Sequence, residues 1–387
     1  MDFDLSADQE ALRDGARTLL ERRASHDVLR ARVGSGVVVG TLPGAGQTDG
    51  GAAADAPSGF DRDAWAGMAG QGWLALEVPE EEGGLGLGMV EAAVLCEEIG
   101  RHLAPVPFLS SLLTLGALSG PSARAIEATA TWRDGLAEGS LVGCIAIVTE
   151  PGKLTTEGSG QVRLTGRVGP TVFAPSADVA VIATPEALYA VDLVAVGRPP
   201  ALSAMDRTRE LGRLEFDGTS ALVIGDAAAS ALLLDRAATA ISAEMLGAAA
   251  TVLDMAVGYA KDRVQFGKPI GSFQAVKHML ADVLVDVEGM RSSVYYAAWC
   301  SAADDGERSL AASMAKSWCS DASRRVMGTG LQVHGGIGFT WEHDMHLYVK
   351  RAQLDQVSFG DGAFHRDRIA SILRQRVVAG TGITASA

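Results

Sequence analysis

Between residues 141 and 224 the chain changes its hydrophobic period, and this switch constrains the fold more than any other feature. On either side, apolar residues recur every three or four positions, the spacing of helices that bury one face. Inside, the segments near 141–149, 161–168, 178–184, 187–195 and 211–224 are short, β-branched and separated by turn formers. They read as strands of a small antiparallel domain. The expectation is a multidomain α+β chain. It has an N-terminal helical domain over 1–138, a middle β domain over 139–228 and a C-terminal four-helix bundle over 229–387.

At 387 residues the chain is too long for one ordinary core, and its 48 % hydrophobic content supplies a large interior. Ser6 can cap a first helix whose Leu12, Ala16, Leu19 and Leu20 share a face. The stretch Val33 to Gly59 is rich in Gly, Pro and Ser and reads as a mobile loop. Its GSGVVVG has the look of a dinucleotide loop, but no strand precedes it and no capped helix follows. GWLALEVPEEEGGLGLG, Gly72 to Gly88, is a turn-rich connector before another apolar helix. In the last part, Asp235 is expected to open a helix running to about Asp262. A stripe through Phe273, Val276, Leu280, Leu284, Val287, Met290 and Val294 predicts a second helix. Patterns near 307–332 and 363–376 predict two more.

The net charge of −14 and pI near 5.0 argue against a broad nucleic-acid or anionic-membrane surface. Cys96, Cys144, Cys300 and Cys319 form no CxxC, and no His cluster has zinc spacing. They read as reduced thiols rather than metal ligands. MDFDLSADQEALRD lacks the basic start and apolar run of a signal peptide. No stretch approaches 18 uninterrupted apolar residues, so membrane insertion is not expected and a cytoplasmic location is.

RVQFGKPIGSFQ, Arg263 to Gln274, interrupts two long helical patterns. A plain connector needs only a helix stop and solvated side chains. This one carries a fixed cation, two amides, two aromatic rings and a glycine–proline turn. Together with QVHGGIGF, Gln332 to Phe339, it resembles the acyl-CoA dehydrogenase family. The order of helical, β and helical parts, the Gly72–Gly88 connector, VTEP at 148–151 and WEHDMHLYVKRA at 341–352 extend the resemblance over nearly the whole chain.

The resemblance implies FAD lying extended across a subunit interface and α,β-dehydrogenation of an acyl-CoA, with electrons passed to an electron-transfer flavoprotein. Arg263 would hold the pyrophosphate, since a guanidinium stays ionised and binds two oxygens. Gln265, Phe266 and Gln274 would flank the dinucleotide. Gln332 and the backbone at Gly335 and Gly336 would approach it closely. Thr149 would reach the flavin edge.

The chain departs from the family at the base. The usual glutamate position, aligned on Gly360, is Phe359, which accepts no proton, and Asp361 follows the glycine. Some members carry the base on the first helix of the bundle, just before an arginine. Asp235 before Arg236 matches, although an aspartate at a helix start is also an ordinary cap. Glu244 reads as structural. PTV, Pro170 to Val172, stands where the family has a Trp-x-Thr against the flavin, with Phe173 as a substitute ring. The expectation is therefore one subunit of a homo- or heterotetramer, resembling actinobacterial members active on steroid side-chain thioesters, in which a related chain supplies a glutamate. A non-catalytic partner subunit and a flavin-dependent oxygenase are the alternatives.

Overall fold

A computed structural model describes residues 5–24, 26–33, 59–149, 152–158 and 161–380. The glycine-rich stretch 34–58, with GSGVVVG, lies outside the described residues.

The first helix, α1 (Ala7–Arg23), begins with a reciprocal cap. Gln9 N–H donates to Ser6 Oγ at 3.2 Å, and Ser6 N–H donates to the Gln9 side chain at 2.9 Å. Then come α2 (His26–Val33), α3 (Arg62–Gly70), α4 (Met89–Arg101), α5 (Phe108–Leu118), α6 (Pro121–Arg124) and α7 (Ala128–Glu138). The apolar α5 is buried on nearly every side and lies against the sheet. A Cβ added at Gly143 would fall 2.5 Å from Thr114 Cβ, so only glycine lets the two approach.

The sheet contains β1 (Gly143–Ile147), β2 (Leu154–Glu157), β3 (Gln161–Val172), β4 (Val179–Ala183), β5 (Ala187–Asp192) and β6 (Leu211–Asp226), with α8 (Leu193–Val196) after β5. Its order is β1-β4-β5-β6-β3-β2. The pairs are antiparallel except β1 with β4, which run parallel because the β2–β3 excursion intervenes before the chain returns beside β1. The sheet is thus mixed rather than antiparallel throughout. β2 escaped the sequence reading because LTTE is an exposed edge strand with no apolar alternation.

Strand β6 runs directly into α9 (Ala227–Asp262). Asp226 is its cap, accepting the Ala229 N–H at 3.0 Å. The helix therefore starts well before Asp235, which lies inside it and is not a cap. By length and composition α9 could cross a bilayer, yet 72 % of its most apolar window is buried within the protein. Its small residues bring it into backbone contact with α4. A Cβ on Gly100 would lie 1.9 Å from the Glu244 carbonyl oxygen, and one on Gly247 would lie 1.8 Å from that of Glu97.

A hairpin, β7 (Val264–Gln265) and β8 (Lys268–Pro269), leads to α10 (Gln274–Ala302), α11 (Arg308–His334), α12 (Met345–Val357) and α13 (Gly362–Val378). The four expected helices are present as α9, α10, α11 and α13, and among the described residues α12 adds a shorter fifth. α12 was missed because Arg351 and Asp355 occupy buried positions and break its apolar stripe.

Those charges join the β domain to the bundle. Arg351 donates to Asp206 at 2.8 Å and to Glu244 at 2.6 Å. Arg209 donates to Asp355 at 2.8 Å and also to Glu244. All five groups are buried. Burial pushes Asp355 up to about 7, against the opposing pull of Arg209. Glu244 is structural, as its sequence context suggested.

Candidate active site

A cavity of about 680 Å³ opens where the three parts of the chain meet. α5 contributes Leu109 and Ser110. The β domain contributes the β1 end through Val148 and Thr149, the β3 end through Thr171, Val172 and Phe173, and Arg209 and Arg213. The bundle contributes Ile241, Leu354 and the stretch from Val357 to Asp361. Junctions of this kind, mostly apolar with a few polar groups, are ordinary ligand sites. Of the residues singled out in the sequence, Thr149, Phe173, Phe359 and Asp361 meet here.

One wall is a short turn under local strain. Phe359 has φ +58° and Gly360 φ +95°. A left-handed aromatic residue is uncommon and persists only when its surroundings fix it. Lys316, fully buried, donates Nζ to the Gln356 carbonyl at 2.8 Å at the end of α12. His365 Nε2 lies 3.0 Å from the Phe359 carbonyl. Burial holds His365 down at about 4 and Lys316 at about 8. Neutral His365 therefore donates from Nε2. Asp361 caps α13 by accepting the Phe364 N–H at 2.8 Å. Asp361 is the only carboxylate among the described residues lining the cavity.

Asp235 is elsewhere. It is 1 % exposed and absent from the cavity wall. Ser309 Oγ donates to its Oδ2 at 2.6 Å, while Arg368 lies 2.6 Å from Oδ1, off the hydrogen-bond line, and Arg308 lies at 3.5 Å. Asp235 thus ties α9 to α11 and α13. The sequence offered a base or a cap, and the structure gives an ion-paired strut. The apolar run ALLL before it was the available signal that the helix had already begun.

The dinucleotide-type residues gather at the opposite end of the bundle. The β7–β8 hairpin turns through Phe266 and Gly267, at φ +53° and +79°. Phe266 is 91 % exposed. Arg263, Gln265 and Gln274 are exposed beside it, as are Gln332, Gly335 and Gly336 at the end of α11. Ala256, Ala260 and Val333 pack with Ile270 and Leu280, and Tyr259 stacks on His334 at 4.8 Å, so hairpin and glycines share one surface. A Cβ on Gly336 would meet nothing within 4 Å, leaving room for a group from outside the chain. Arg263 lies about 22 residues beyond Ile241 along α9, hence roughly 33 Å from the cavity at 1.5 Å per residue.

Helical, mixed-sheet and helical parts follow in this order, with a cavity at their junction. Residues 48–120 match the model of the acyl-CoA dehydrogenase N-terminal domain, and residues 225–373 match that of the acyl-CoA dehydrogenase C-terminal domain. The chain belongs to the acyl-CoA dehydrogenase family and is an oxidoreductase of that class. It is 34 % identical over 356 residues to the acyl-CoA dehydrogenase IpdE2 of Mycolicibacterium smegmatis, covering 90 % of this chain and 93 % of that one. IpdE2 of Mycobacterium tuberculosis is 37 % identical over 76 % of this chain and 81 % of its own. Among solved structures, the Tcur3481–Tcur3483 steroid acyl-CoA dehydrogenase variant superposes with a TM-score of 0.83 at 28 % identity, covering 96 % and 99 % of the two chains. The ChsE4–ChsE5 complex from Mycobacterium tuberculosis gives 0.83 at 27 %, covering 97 % and 99 %.

FAD is the cofactor of this class. The residues present fit it. Thr171 Oγ1 and Arg209 Nε, both on residues of the cavity wall, are buried without a hydrogen-bond partner. Such atoms are costly unless something supplies their partner. Arg209 was missed in the sequence, since nothing in TREL distinguishes a buried arginine from a surface one.

Proposed function

We propose that the chain is one subunit of an oligomeric, FAD-dependent acyl-CoA dehydrogenase, paired with a related chain. The observation that carries this reading is the roughly 33 Å of helix between cavity and Arg263 turn, more than one extended dinucleotide spans. The turn therefore serves a cavity in a neighbouring chain. Arg263 would clamp the pyrophosphate there, with Gln265, Phe266 and Gln274 flanking it and Gln332, Gly335 and Gly336 lying along it. Thr149, Thr171 and Phe173 would edge the ring in this chain's own cavity. When bound, FAD supplies the hydride acceptor for the β hydrogen.

The α proton needs a carboxylate within hydrogen-bond reach. Phe359 offers none. Asp361 is engaged as a cap, and Asp235 is sealed in ion pairs. The proton therefore goes to a glutamate of the paired chain's site, and this chain's role there is to complete cofactor binding. The apolar cavity walls exclude water and orient the acyl group. The steroid-type relatives and the ChsE4–ChsE5 complex favour a heteromeric assembly and a bulky, ring-bearing acyl thioester. Electron-transfer flavoprotein as acceptor and a cytoplasmic location complete the reading.

The test is purification alone and together with a related chain encoded beside it. Absorbance near 450 nm, light scattering and turnover should show little flavin alone, and a yellow, active hetero-oligomer together. A flavin-loaded monomer active by itself would refute the pairing.

A further inference from the structure

We propose that Asp355 is a positioning residue of the cavity. Acting through Arg209, it couples occupation of the cavity by a carbonyl-type acceptor to uptake of a proton from solvent by its own carboxylate. The proposal rests on the dehydrogenase reading above, which supplies two such acceptors, the flavin ring and the acyl thioester.

Among Asp206, Arg209, Glu244, Arg351 and Asp355, Arg209 alone stands on the cavity wall. Its two terminal nitrogens serve Asp355 and Glu244, and its Nε is buried without a partner. The cluster itself is unbalanced. Three carboxylates share two guanidinium groups, and every member is buried. Asp206 accepts from Arg351 through one oxygen and from the Thr208 N–H and hydroxyl through the other. Asp355 Oδ2 and Glu244 Oε2 accept nothing. Surplus negative charge sealed from water, on oxygens without donors, is the setting in which a carboxylate keeps a proton. Glu244 draws on both arginines, whereas Asp355 receives one bond, from Arg209 at 2.8 Å. The proton therefore falls to Asp355. Burial lifts this carboxyl to about 7, with Glu244 and Asp206 reinforcing the rise and Arg209 and Arg351 opposing it. Lys316 on α11 also faces Asp355 and favours its charged form. Its ammonium, however, donates to the Gln356 carbonyl and Ser320 rather than to a carboxylate. On α13, His365 and Asp361 face Lys316 in turn.

An acceptor atom presented in the cavity takes the Arg209 Nε–H. It places partial negative charge beside the guanidinium and weakens the pull of Arg209 on Asp355, so the carboxylate binds its proton more tightly. Asp355 is protonated below about 7 and charged above. Binding near neutrality then takes up a proton, and affinity falls as pH rises through 7. Asp355 also precedes Gln356, whose carbonyl Lys316 holds at the start of the Phe359 turn, so the same residue touches two walls of the cavity.

Calorimetry at pH 7 in two buffers of different ionisation enthalpy counts the protons. One arm titrates FAD into the deflavinated complex. The other titrates 2-octenoyl-CoA, a product-form thioester that cannot be oxidised again, into the FAD-loaded complex. The arm that takes up a proton identifies the carbonyl that reaches Arg209. In that arm affinity should fall roughly three- to tenfold from pH 6 to 9. Asp355→Asn balances the cluster at two charges of each sign, so it should fold, take up no proton and bind with a flat pH profile. Glu244→Gln leaves Asp355 in place but removes a neighbouring charge, and should lower the uptake at pH 7. Asp361→Asn keeps the cap of α13 and should leave the uptake unchanged. Wild type taking up no proton in either arm overturns the proposal. So does uptake that survives Asp355→Asn, or an Asp355→Asn affinity loss equal at every pH. If the complex binds neither FAD nor the thioester, the dehydrogenase reading itself fails, and this proposal with it.

Discussion

Asp235→Asn separates a structural carboxylate from a catalytic one. The side chain is 1 % exposed and holds Ser309, Arg308 and Arg368. Asparagine keeps the shape but removes the charge. Breaking a fully buried pair from one side costs about 3–5 kcal/mol. Here the stranded side chains of Arg308 and Arg368 are 24 % and 17 % exposed, so partial rehydration lowers the loss to roughly 2–3 kcal/mol. For a bundle of this size that is a melting-point drop of roughly 5–10 °C. Were Asp235 a helix cap, asparagine would be neutral. Thermal melts followed by circular dichroism decide between these, with turnover of the reconstituted complex measured below the transition. The expected result is a lower melting point with turnover within a few-fold of wild type. An unchanged melting point with turnover down by roughly 10² or more would make Asp235 a proton acceptor and refute its placement as a strut.

Gly100→Ala or Gly247→Ala should destabilise by roughly 3 kcal/mol or more, since the new Cβ meets backbone that cannot yield. Gly258→Ala, in the same α9 with open space around it, should be neutral or stabilising by up to about 1 kcal/mol; equal melting points across the three would refute the close crossing. Arg263→Ala should weaken FAD binding to the complex about ten- to hundredfold without lowering the melting point. Phe359→Glu, combined with removal of the partner's glutamate, should restore turnover by roughly 10²-fold over the base-less complex; no rescue means position 359 does not face the α carbon. His365 is held near 4 by burial, so below pH 6.5 the unfolded chain binds a proton that the folded chain refuses. Its contribution is full above 6.5 and falls as pH drops toward 4, by at most roughly 2 kcal/mol at pH 5. His365→Gln should flatten denaturation midpoints between pH 7 and 5, and identical slopes would mean that His365 is charged in the fold.

The parts legible in the sequence are those whose physics is local. Ser6 with Gln9, the turn through Gly267 and the period switch near 141 each depend on residues a few positions apart. The illegible parts depend on distant partners. Arg351 and Asp355 look like surface charges until Asp206, Arg209 and Glu244 are brought to them from two other segments. The same holds for Asp235, whose arginines lie on α11 and α13. Thr171 follows Pro170, which stands where the family has its aromatic, and only folding reveals the Thr171 hydroxyl as buried and unpartnered.

The length of α9 also sets how an assembly must work. Cavity and Arg263 turn sit far apart along one helix, so under the proposed pairing a neighbour's turn would reach each cavity. A two-fold pairing does this twice, because the contact is reciprocal. With two identical chains, both cavities would be lined by Phe359 and neither would hold the usual base. With a related chain carrying the glutamate, one cavity of the pair has a base while its cofactor clamp comes from this chain's Arg263. The other cavity is this chain's own, with Phe359 on its wall. Loss of the base here is then tolerated, because Arg263 acts on the productive site and Phe359 does not. Selection would preserve the hairpin and leave position 359 free to shape the wall, which matches a chain whose turn keeps all its recognition groups and whose distant cavity, among the described residues, has Asp361 as its one carboxylate, engaged as a cap.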